Sequence, residues 1–462
     1  MDLSTELRRL LPREAVIADP ASLSVYECDA LSAYRQPPKV VVLPRTAEEV
    51  RAILRLCHRL RVPVVARGAG TGLSGGALPH AEGVLLSLTR LNRILSIDPA
   101  NRTATVEPGV RNIQIACTIG GNVAENSGGV HCLKYGLTLN NLLALTVMTI
   151  EGERLELGSQ TLDAPGYDLL ALMTGSEGLL GIVTSVTVEL LPRPQAAQVL
   201  LAAFKRVEDA GNGVAAVIAA GIIPAGLEMM DRLAIEAAED FVHAGYPLDA
   251  EAILLCEIDG HPAEIEAELP RVAEVLKAQG ATEVRVARDE SERQRFWTGR
   301  KAAFPALGRI APDYYCMDGT IPRRHLGAVL ARIGALSQEF GLAVANVFHA
   351  GDGNLHPLIL YDANAPGQLE RAEAFGGKIL EVCVEAGGTI TGEHGVGVEK
   401  LNQMCVQFTA EELEQFHAVK RAFDPDGLLN PGKAIPTLRR CAEFGALHVH
   451  AGKLPFPELE RF

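Results

Sequence analysis

The feature that most restricts the fold is a glycine-rich stretch at residues 67–76, which reads Arg-Gly-Ala-Gly-Thr-Gly-Leu-Ser-Gly-Gly. It follows residues 62–66, a short apolar run of the kind that forms a buried strand. Glycine adopts positive φ at no steric cost, so the stretch can present successive N–H groups to a ligand. Such a row, with the hydroxyls of Thr71 and Ser74 beside it, favours a phosphate or diphosphate. The alternative, a mobile surface loop, stays open on this stretch alone.

The same stretch excludes two common nucleotide-binding motifs. No Gly-Lys-Ser or Gly-Lys-Thr follows it, so it is not a P-loop. A dinucleotide fingerprint would need a glycine at the position of Leu73 and an acidic residue at the end of a second strand. A phosphate-bearing ligand is therefore expected to bind here in another way.

Two later segments have the same small and amide-rich character. Residues 120–129 read Gly-Gly-Asn-Val-Ala-Glu-Asn-Ser-Gly-Gly, and residues 175–183 read Gly-Ser-Glu-Gly-Leu-Leu-Gly-Ile-Val before a predicted strand. The carboxamides of Asn122 and Asn126 can donate to a phosphate or to a flavin carbonyl. Three such segments in one part of the chain indicate a long cofactor held largely by main chain, and FAD has that shape.

Three imidazoles and one carboxylate form a second group of candidate residues. Residues 349–356 read His-Ala-Gly-Asp-Gly-Asn-Leu-His, and the Gly-Asp-Gly turn can fold both histidines toward one point. Glu393 and His394 lie between glycines further along the chain. His349, His356 and Glu393 would form a ligand set for a divalent metal with one open position, and His394 is then a candidate general base. Two polar residues that cap a tight loop are the alternative interpretation of the histidine pair.

The charge of the chain excludes two classes of partner. Its formal net charge is -14 over 462 residues, whereas a protein that binds nucleic acid clusters Lys and Arg on one face. An acidic surface also disfavours broad docking on anionic lipid. We therefore expect no nucleic acid partner, and an anionic substrate would need local positive charge.

Cysteine spacing and apolar runs bear on the compartment. Nine cysteines are scattered from Cys28 to Cys441, and no two have the C-x-x-C spacing of a zinc ribbon or a cluster site. This pattern predicts free thiols in a reducing compartment. Residues 1–13 show no signal peptide, and apolar runs such as residues 142–150 are too short to span a bilayer. We expect a cytoplasmic protein without direct membrane insertion.

The order of apolar and turn residues predicts an α+β protein with more than one domain, since 462 residues exceed what one core usually supports. Residues 46–49, Thr-Ala-Glu-Glu, form a capping box that opens a helix. Prolines at positions 192 and 194 indicate an extended linker. We predict a first domain at residues 1–193, a second domain at residues 194–420 and a final segment at residues 421–462. The second domain is expected to hold an antiparallel sheet covered by helices on one side.

Together these motifs resemble the FAD-linked oxidases of the vanillyl-alcohol-oxidase and p-cresol-methylhydroxylase type. Within that family, the chain is most similar to the catalytic FAD subunits of bacterial glycolate oxidases, with D-lactate and D-2-hydroxyglutarate dehydrogenases as relatives. The resemblance rests on the glycine-rich stretch and on residues 119–129, 349–356, 392–397 and 430–433. It implies a p-cresol-methylhydroxylase-type FAD-binding domain, a second domain that caps the flavin, and a short C-terminal segment that contacts FAD.

The resemblance also implies a role for each group of residues. The glycine-rich stretch would hold the FAD pyrophosphate, residues 121–129 and Ile182 would flank the flavin, and Arg300 would bind the substrate carboxylate. The two histidines and the glutamate named above would hold zinc or manganese, with His394 as the base. The candidate cofactor-binding residues are Arg67, Gly68, Gly70, Thr71, Gly72, Ser74, Gly75, Gly76, Gly121, Asn122, Asn126, Gly128, Gly129, Glu177, Ile182 and Asn430.

The chain departs from this family at one place. Between residues 106–109 and 115–118, relatives usually carry a helix and a proline–serine loop that touches FAD, whereas here only residues 110–114 connect the two. The short connection predicts a looser hold on FAD.

The resemblance implies a dehydrogenase that oxidises a small D-2-hydroxy acid, glycolate or D-lactate, to the 2-oxo acid. Apolar Pro357 and Leu358 favour a substrate without a second carboxylate. The electrons would pass to a quinone or to an iron–sulfur subunit of a complex that also holds a second FAD-domain subunit and lies at the inner membrane. Two alternatives stay open: an oxygen-using flavin oxidase without metal, and a non-catalytic subunit of a glycolate oxidase complex.

Overall fold

The computed structural model describes residues 2–112, 117–161, 166–437 and 440–441, and the chain divides into two compact units. The first unit comprises Met1–Ser127, Leu137–Leu191 and His394–Phe462, and the second comprises Gly128–Gly136 and Pro192–Glu393. The chain therefore leaves the first unit twice, at Gly128 and at Pro192, and its last return to that unit is at His394. The domain limits at residues 193 and 420 stay predictions, because compactness alone does not define a domain.

A four-stranded sheet begins the first unit. Its strand order is Val16–Ile17, Val40–Val42, Val84–Ser87 and Val64–Arg67. The last three strands run parallel to one another, and the first is antiparallel to its neighbour. The residues of Val40–Val42 and Val84–Ser87 are buried on both faces, as expected for parallel strands covered by other elements.

The helix Ala47–Leu60 packs against this sheet and begins where the sequence predicts. Thr46 Oγ1 accepts the N–H of Glu49 at 3.1 Å, but the Glu49 carboxylate accepts the N–H of Arg45 instead of closing a reciprocal box. Its inward face joins the sheet valines in one core through Val50, Ile53, Leu54 and Cys57. The spacing of these residues, three or four apart, places them on one side of the helix.

A five-stranded antiparallel sheet forms the rest of the first unit. Its strand order is Ile94–Asp98, Thr103–Val106, Ile182–Glu189, Leu142–Met148 and Arg154–Gly158. The other helices of this unit are Leu3–Leu10, Pro20–Leu23, Ile119–Glu125, Leu169–Met173, Leu401–Gln407 and Ala410–Phe423, with 3₁₀ turns at Arg13–Ala15, Ser24–Tyr26 and Thr138–Asn141.

The second unit is built on an antiparallel sheet of seven strands. Its strand order is Glu283–Val286, Ala196–Phe204, Ala252–Gly260, Gly226–Asp231, Val344–Phe348, Pro357–Tyr361 and Asp313–Cys316. A small sheet pairs Gly319–Thr320 with Asn354–Leu355. The helices are Cys132–Tyr135, Val207–Ala219, Arg232–Val242, Pro262–Ala278, Glu290–Leu307, Leu326–Phe340 and Gln368–Glu385, with a 3₁₀ turn at Arg323–His325.

Helices cover both faces of the seven-stranded sheet, so the prediction of a sheet covered on one side is wrong. Leu255 packs in one core with the helices Arg232–Val242 and Glu290–Leu307. Leu254, which faces the other way, lies beside Gly213 of the helix Val207–Ala219. Side chains alternate between faces along a strand, so a continuous buried run such as Ala252–Ile258 requires cover on both sides.

The structure also bears on two predictions that do not concern the sheets, one about the cysteine thiols and one about membrane-spanning helices. Cys405 and Cys441 form a disulfide, so the prediction that all thiols are free is wrong for this pair. Among the described helices, none combines the length and the apolar character that a membrane-spanning helix requires.

Candidate functional site

The glycine-rich stretch leaves the end of the strand Val64–Arg67 as an open loop. Gly70 and Gly75 both have φ of +74°, a conformation that residues with a side chain rarely adopt. None of the N–H groups from residue 68 to residue 76 donates a hydrogen bond to another described residue. The loop thus presents a row of unpaired N–H groups, which is the arrangement that binds an anion.

The two halves of this loop have different surroundings. Residues 68–73 are half-buried or exposed, whereas Ser74 and the two glycines after it are buried or nearly so. The Ser74 carbonyl accepts the N–H groups of Val398 at 3.0 Å and Glu399 at 3.2 Å. The first half is therefore accessible to a ligand, and the second half is fixed from behind by the returning chain.

A buried turn near the C-terminus braces the end of the loop. Asn430 Nδ2 donates to the carbonyls of Gly76 at 3.0 Å and Glu177 at 2.7 Å. Lys433 Nζ donates to the same Gly76 carbonyl at 2.9 Å, to Asn430 Oδ1 at 2.7 Å and to the carbonyl of Leu78. The amide of Asn430, a candidate cofactor contact, is thus engaged in holding the loop.

Glu177 lies in the third glycine-bearing segment and has a similar bracing position. Its backbone adopts φ of +51°, and its carboxylate accepts the N–H groups of Val396 and Gly397, both at 2.7 Å. Burial raises the pKa of Glu177. Its carboxylate therefore joins the third segment to the returning chain, while Ile182 begins the buried strand that follows.

The first part of the second glycine-bearing segment lies in the helix Ile119–Glu125, whose N-cap Thr118 packs directly on the loop. A Cβ at Gly68 would lie 2.2 Å from Thr118 Oγ1, which accepts the N–H of Gly121 at 3.3 Å, so only glycine fits at Gly68. Asn126 Oδ1 accepts the N–H of Leu139 at 2.9 Å. These contacts bring the first two segments together, as the sequence predicts.

Two buried polar atoms, one in the loop and one in the helix Ile119–Glu125, support the fit of a polar cofactor. Ser74 Oγ and Asn122 Oδ1 are buried and have no hydrogen-bond partner in the described part of the chain. Buried polar atoms usually have a partner in a folded protein. A ligand with hydroxyl, amide and phosphate groups, such as FAD, would supply one.

The short connection between residues 110 and 118 is only partly described. Asn112 donates its N–H to the carbonyl of Cys117 at 2.9 Å, and Arg111 forms an isolated bridge with Thr118. Residues 113–116, within the predicted departure, lie outside the described residues. The described ends of the connection therefore meet directly.

In the second unit, His349, His356 and Glu393 come together as predicted from the sequence. Their ligand atoms all lie within 4.8 Å of one another. Glu393 Oε1 lies 3.0 Å from His356 Nε2 and 3.5 Å from His349 Nε2. Burial opposes the charge, but hydrogen bonds to the two imidazoles hold the pKa of Glu393 well below its usual range. Two imidazole nitrogens and a carboxylate suit zinc or manganese.

The small sheet explains why residues so far apart in sequence meet here. Thr320 pairs with Asn354 on one side and exchanges two backbone hydrogen bonds with Thr389 on the other. The loop that follows Thr389 is fixed by Asp318, whose carboxylate accepts the N–H of Glu393 at 3.2 Å. His394 is the next residue and begins the part of the chain that returns to the first unit.

Sequence reasoning missed Glu228, which contacts two predicted site residues. Its carboxylate lies 2.8 and 3.0 Å from His349 Nδ1 and accepts from Arg300 Nε and Nη2 at 2.9 and 2.7 Å. Arg300 and Glu228 are both buried. An acidic residue inside the apolar strand Gly226–Asp231 was the available signal, because a buried charge needs a partner.

Gly128 and Gly129, both candidate cofactor contacts, belong to the short excursion of the chain into the second unit. That excursion is held by Lys134, which donates to the Asp259 carbonyl at 2.8 Å, and by Tyr135, which donates to Asp259 Oδ2 at 2.6 Å. A Cβ at Gly129 would meet no atom within 4 Å. These two glycines therefore belong to a different unit from Gly121 and Asn122, which stay in the first.

Comparison with protein families decides where the chain belongs. Residues 193–434 match the C-terminal domain of FAD linked oxidases, and residues 38–117 and 112–158 match an FAD binding domain. The chain belongs to the FAD-linked oxidases. This finding confirms the family predicted from the motifs and shows that the chain is an FAD-linked oxidoreductase.

Individual relatives agree with this assignment. The chain is 64% identical over 475 residues to glycolate oxidase subunit GlcD of Escherichia coli (strain K12), with 99% of this chain and 95% of the relative covered. It is 31% identical over 460 residues to a D-lactate dehydrogenase of Anaerostipes hadrus, with 94% and 97% covered. The crystal structure of p-cresol methylhydroxylase with substrate bound has a TM-score of 0.79 at 17% identity, with 94% and 96% covered. The predicted α+β fold of the p-cresol-methylhydroxylase type is thereby confirmed.

The comparisons also locate a gap in this FAD-linked oxidase. The match to the FAD binding domain comes in two ranges that overlap at residues 112–117, and the alignment with GlcD has 475 positions, more than the 462 residues of this chain. Both observations agree with the short connection described above. This chain therefore lacks residues that its relative carries.

Proposed function

We propose that this FAD-linked oxidase is a dehydrogenase that oxidises a small D-2-hydroxy acid, glycolate or D-lactate, to the 2-oxo acid. The observation that carries the proposal is the second unit's buried cluster, where one carboxylate joins an arginine to a set of metal-ligating side chains. A 2-hydroxy acid has a carboxylate for a guanidinium and a hydroxyl for a metal. The names of the two curated relatives support this substrate class.

Each side chain of the cluster has a role in this proposal. Arg300 donates to Glu228 from Nε and Nη2, so its Nη1 remains for the substrate carboxylate. His349, His356 and Glu393 would hold a divalent metal, zinc or manganese, which would supply Lewis acidity to the substrate hydroxyl when bound. Ligating imidazoles must be neutral, so metal loading at these buried histidines is expected to release protons.

FAD, when bound, supplies the two-electron acceptor for the oxidation. The unpaired N–H groups of residues 68–73 would hold its diphosphate, with Ser74 and Asn122 near by. Glu177 and Asn430 would act indirectly, by holding the loop. His394 would receive the hydroxyl proton, since it follows the ligand Glu393 directly in the chain and has a pKa range suited to a base.

The proposal includes the partners of the enzyme. By analogy with the relative named as a subunit, we expect an iron–sulfur subunit or a quinone to take the electrons, beside a second FAD-domain subunit. Such a complex would sit at the inner membrane, and this chain would face the cytoplasm. The alternative of an oxidase that uses oxygen directly predicts hydrogen peroxide as a product.

The test is anaerobic mixing of the purified, FAD-loaded protein with D- and L-2-hydroxy acids, with flavin absorbance near 450 nm as the readout. Glycolate or D-lactate should bleach the flavin, and L-lactate should not. No bleaching by any 2-hydroxy acid would overturn the proposal. Peroxide in proportion to substrate under air would instead establish the oxidase.

His394→Ala tests the proposed base. We expect the variant to bind FAD as the wild type does and to lose flavin reduction by about 10²–10⁴-fold, the usual cost of removing a general base. His325→Ala, which removes a histidine of the turn Arg323–His325, is the matched control and should reduce normally. Normal bleaching in His394→Ala would refute the role of this histidine.

A further inference from the structure

Strand register brings a buried carboxylate to the first metal-ligand candidate. The strands Gly226–Asp231 and Val344–Phe348 are antiparallel, with Met229 opposite Phe348. Glu228 precedes Met229 and His349 follows Phe348, so both residues lie directly beyond the last pair of this ladder, and their side chains meet at 2.8 Å. Glu228 is 1% exposed, so its charge has no access to solvent and depends on the side chains around it.

Glu228 accepts hydrogen bonds on both sides of its side chain, which requires an ionised carboxylate. An ionised carboxylate accepts hydrogen bonds and donates none. One side of Glu228 accepts from the guanidinium of Arg300, which is a donor in every state. The other side faces His349 Nδ1 at 2.8 Å, so that nitrogen must carry the proton of the imidazole. When the imidazole is neutral, its lone pair is therefore on Nε2, the nitrogen that faces Glu393 at 3.5 Å.

We propose that Glu228 is a positioning residue that fixes His349 in its metal-ligating tautomer and, through the same carboxylate, fixes Arg300 as the anion-binding group. The inference rests on the proposed function, because it assigns a metal to His349 and the substrate carboxylate to Arg300. Glu228 thereby orients both groups that would hold a 2-hydroxy acid, the metal ligand His349 and the guanidinium of Arg300. A carboxylate behind a ligating histidine is a common way to orient the ring.

Other carboxylates near the cluster do not have this arrangement. The carboxylate of Asp352 accepts the N–H of Asn354 at 3.1 Å, a bond within its own turn. Asp318 accepts hydrogen bonds from the loop before Glu393. Within the described chain, Glu228 is the side chain that contacts both a predicted metal ligand and the predicted substrate arginine.

A second buried glutamate provides a matched control. Glu257 lies opposite Gly226 in the neighbouring strand, and it accepts from Arg293 Nη1 and Trp297 Nε1, both at 2.7 Å. Arg293 and Arg300 come from the same helix, Glu290–Leu307. Glu257 is therefore buried like Glu228 and pairs with another arginine of that helix, but no histidine is among its contacts in the described chain.

The experiment compares Glu228→Gln with Glu257→Gln, after metal removal and reloading with Zn²⁺ or Mn²⁺ alone. The amide that Glu228→Gln introduces keeps the shape but must turn a donor toward either Arg300 or His349 Nδ1. A donor at Nδ1 forces the proton onto Nε2 and removes the ligating lone pair. We expect Glu228→Gln to bind the metal about 10–100-fold more weakly, as for other partners of ligating histidines, and to raise KM for glycolate through the released arginine.

The outcomes separate this inference from the proposed function. Glu257→Gln should bind metal as the wild type does, and Glu228→Asp, which keeps an acceptor, should retain metal better than Glu228→Gln. Wild-type metal affinity in Glu228→Gln would overturn the inference alone, and so would an equal loss in Glu257→Gln. A wild-type protein that binds neither Zn²⁺ nor Mn²⁺ would refute the metal site of the proposed function as well. Circular dichroism of each variant distinguishes loss of metal from loss of fold.

Discussion

At the scale of single residues, Asp231 shows what burial does to a carboxylate in this protein. Its Oδ1 accepts the N–H of Ala234 at 3.2 Å, and its Oδ2 accepts two hydrogen bonds from Asn346 at 2.8 and 2.9 Å. Burial outweighs these bonds and raises the pKa of Asp231 from 3.8 to about 6. Between these two values the folded protein binds more protons than the unfolded chain, so the free energy of unfolding falls as the pH rises.

We expect Asp231→Asn to remove this pH dependence. The wild type should lose up to about 3 kcal/mol from this group between about pH 4 and pH 7, since one pKa unit corresponds to about 1.4 kcal/mol. The measurement is urea unfolding across that range. Asp289→Asn, which removes the exposed N-cap of the helix Glu290–Leu307, should keep the wild-type slope. A deficit of Asp231→Asn that stays constant at every pH would contradict the argument.

At the scale of elements, the glycine-rich loop depends on a turn that lies far away in sequence. The loop's first half has unpaired N–H groups, and its end is tied to Asn430 and Lys433 by their side chains. A row of N–H groups binds an anion well only when its geometry is fixed before binding. The C-terminal turn is therefore expected to contribute to FAD affinity without touching the diphosphate.

Lys433→Met should weaken FAD binding about tenfold, because the loss of these hydrogen bonds, at about 1 kcal/mol each, leaves the end of the loop less restrained. FAD titration followed by quenching of flavin fluorescence gives the dissociation constant. Lys378→Met, which removes a partly exposed lysine paired with Glu381, is the matched control and should bind FAD normally. An unchanged dissociation constant in Lys433→Met would show that the turn does not support the loop.

Local patterns in the sequence predicted the elements near the loop, but pairing between distant strands was not predictable. The helix start at Thr46, the glycine-rich loop and the two histidines follow from neighbours in sequence. The contact of Glu228 with His349 depends on a strand register that joins residues 121 positions apart. Helices on both faces of the seven-stranded sheet do have a local signal, the five consecutive apolar residues Ala252–Cys256, because side chains alternate between the two faces of a strand.

At the scale of the whole molecule, the net charge of -14 attracts or repels any charged acceptor that takes electrons from the flavin. A charged acceptor approaches through the field of the protein before it meets any particular residue. That field reaches about 30 Å at 0.01 M salt and about 8 Å at 0.15 M salt. The rate of flavin reoxidation by a charged acceptor should therefore depend on ionic strength, with a sign set by the charge of the acceptor.

Ferricyanide, a trivalent anion, should reoxidise the substrate-reduced flavin several-fold faster at about 0.15 M salt than at about 0.01 M salt, since salt screens its repulsion from the acidic protein. A cationic phenazinium dye should show the opposite change, and a neutral quinone should show almost none. Anaerobic stopped-flow absorbance of the flavin measures all three rates. If ferricyanide slowed with salt, positive charge around the electron exit would have to outweigh the net charge of the chain, and docking of an acidic partner there would become the better model.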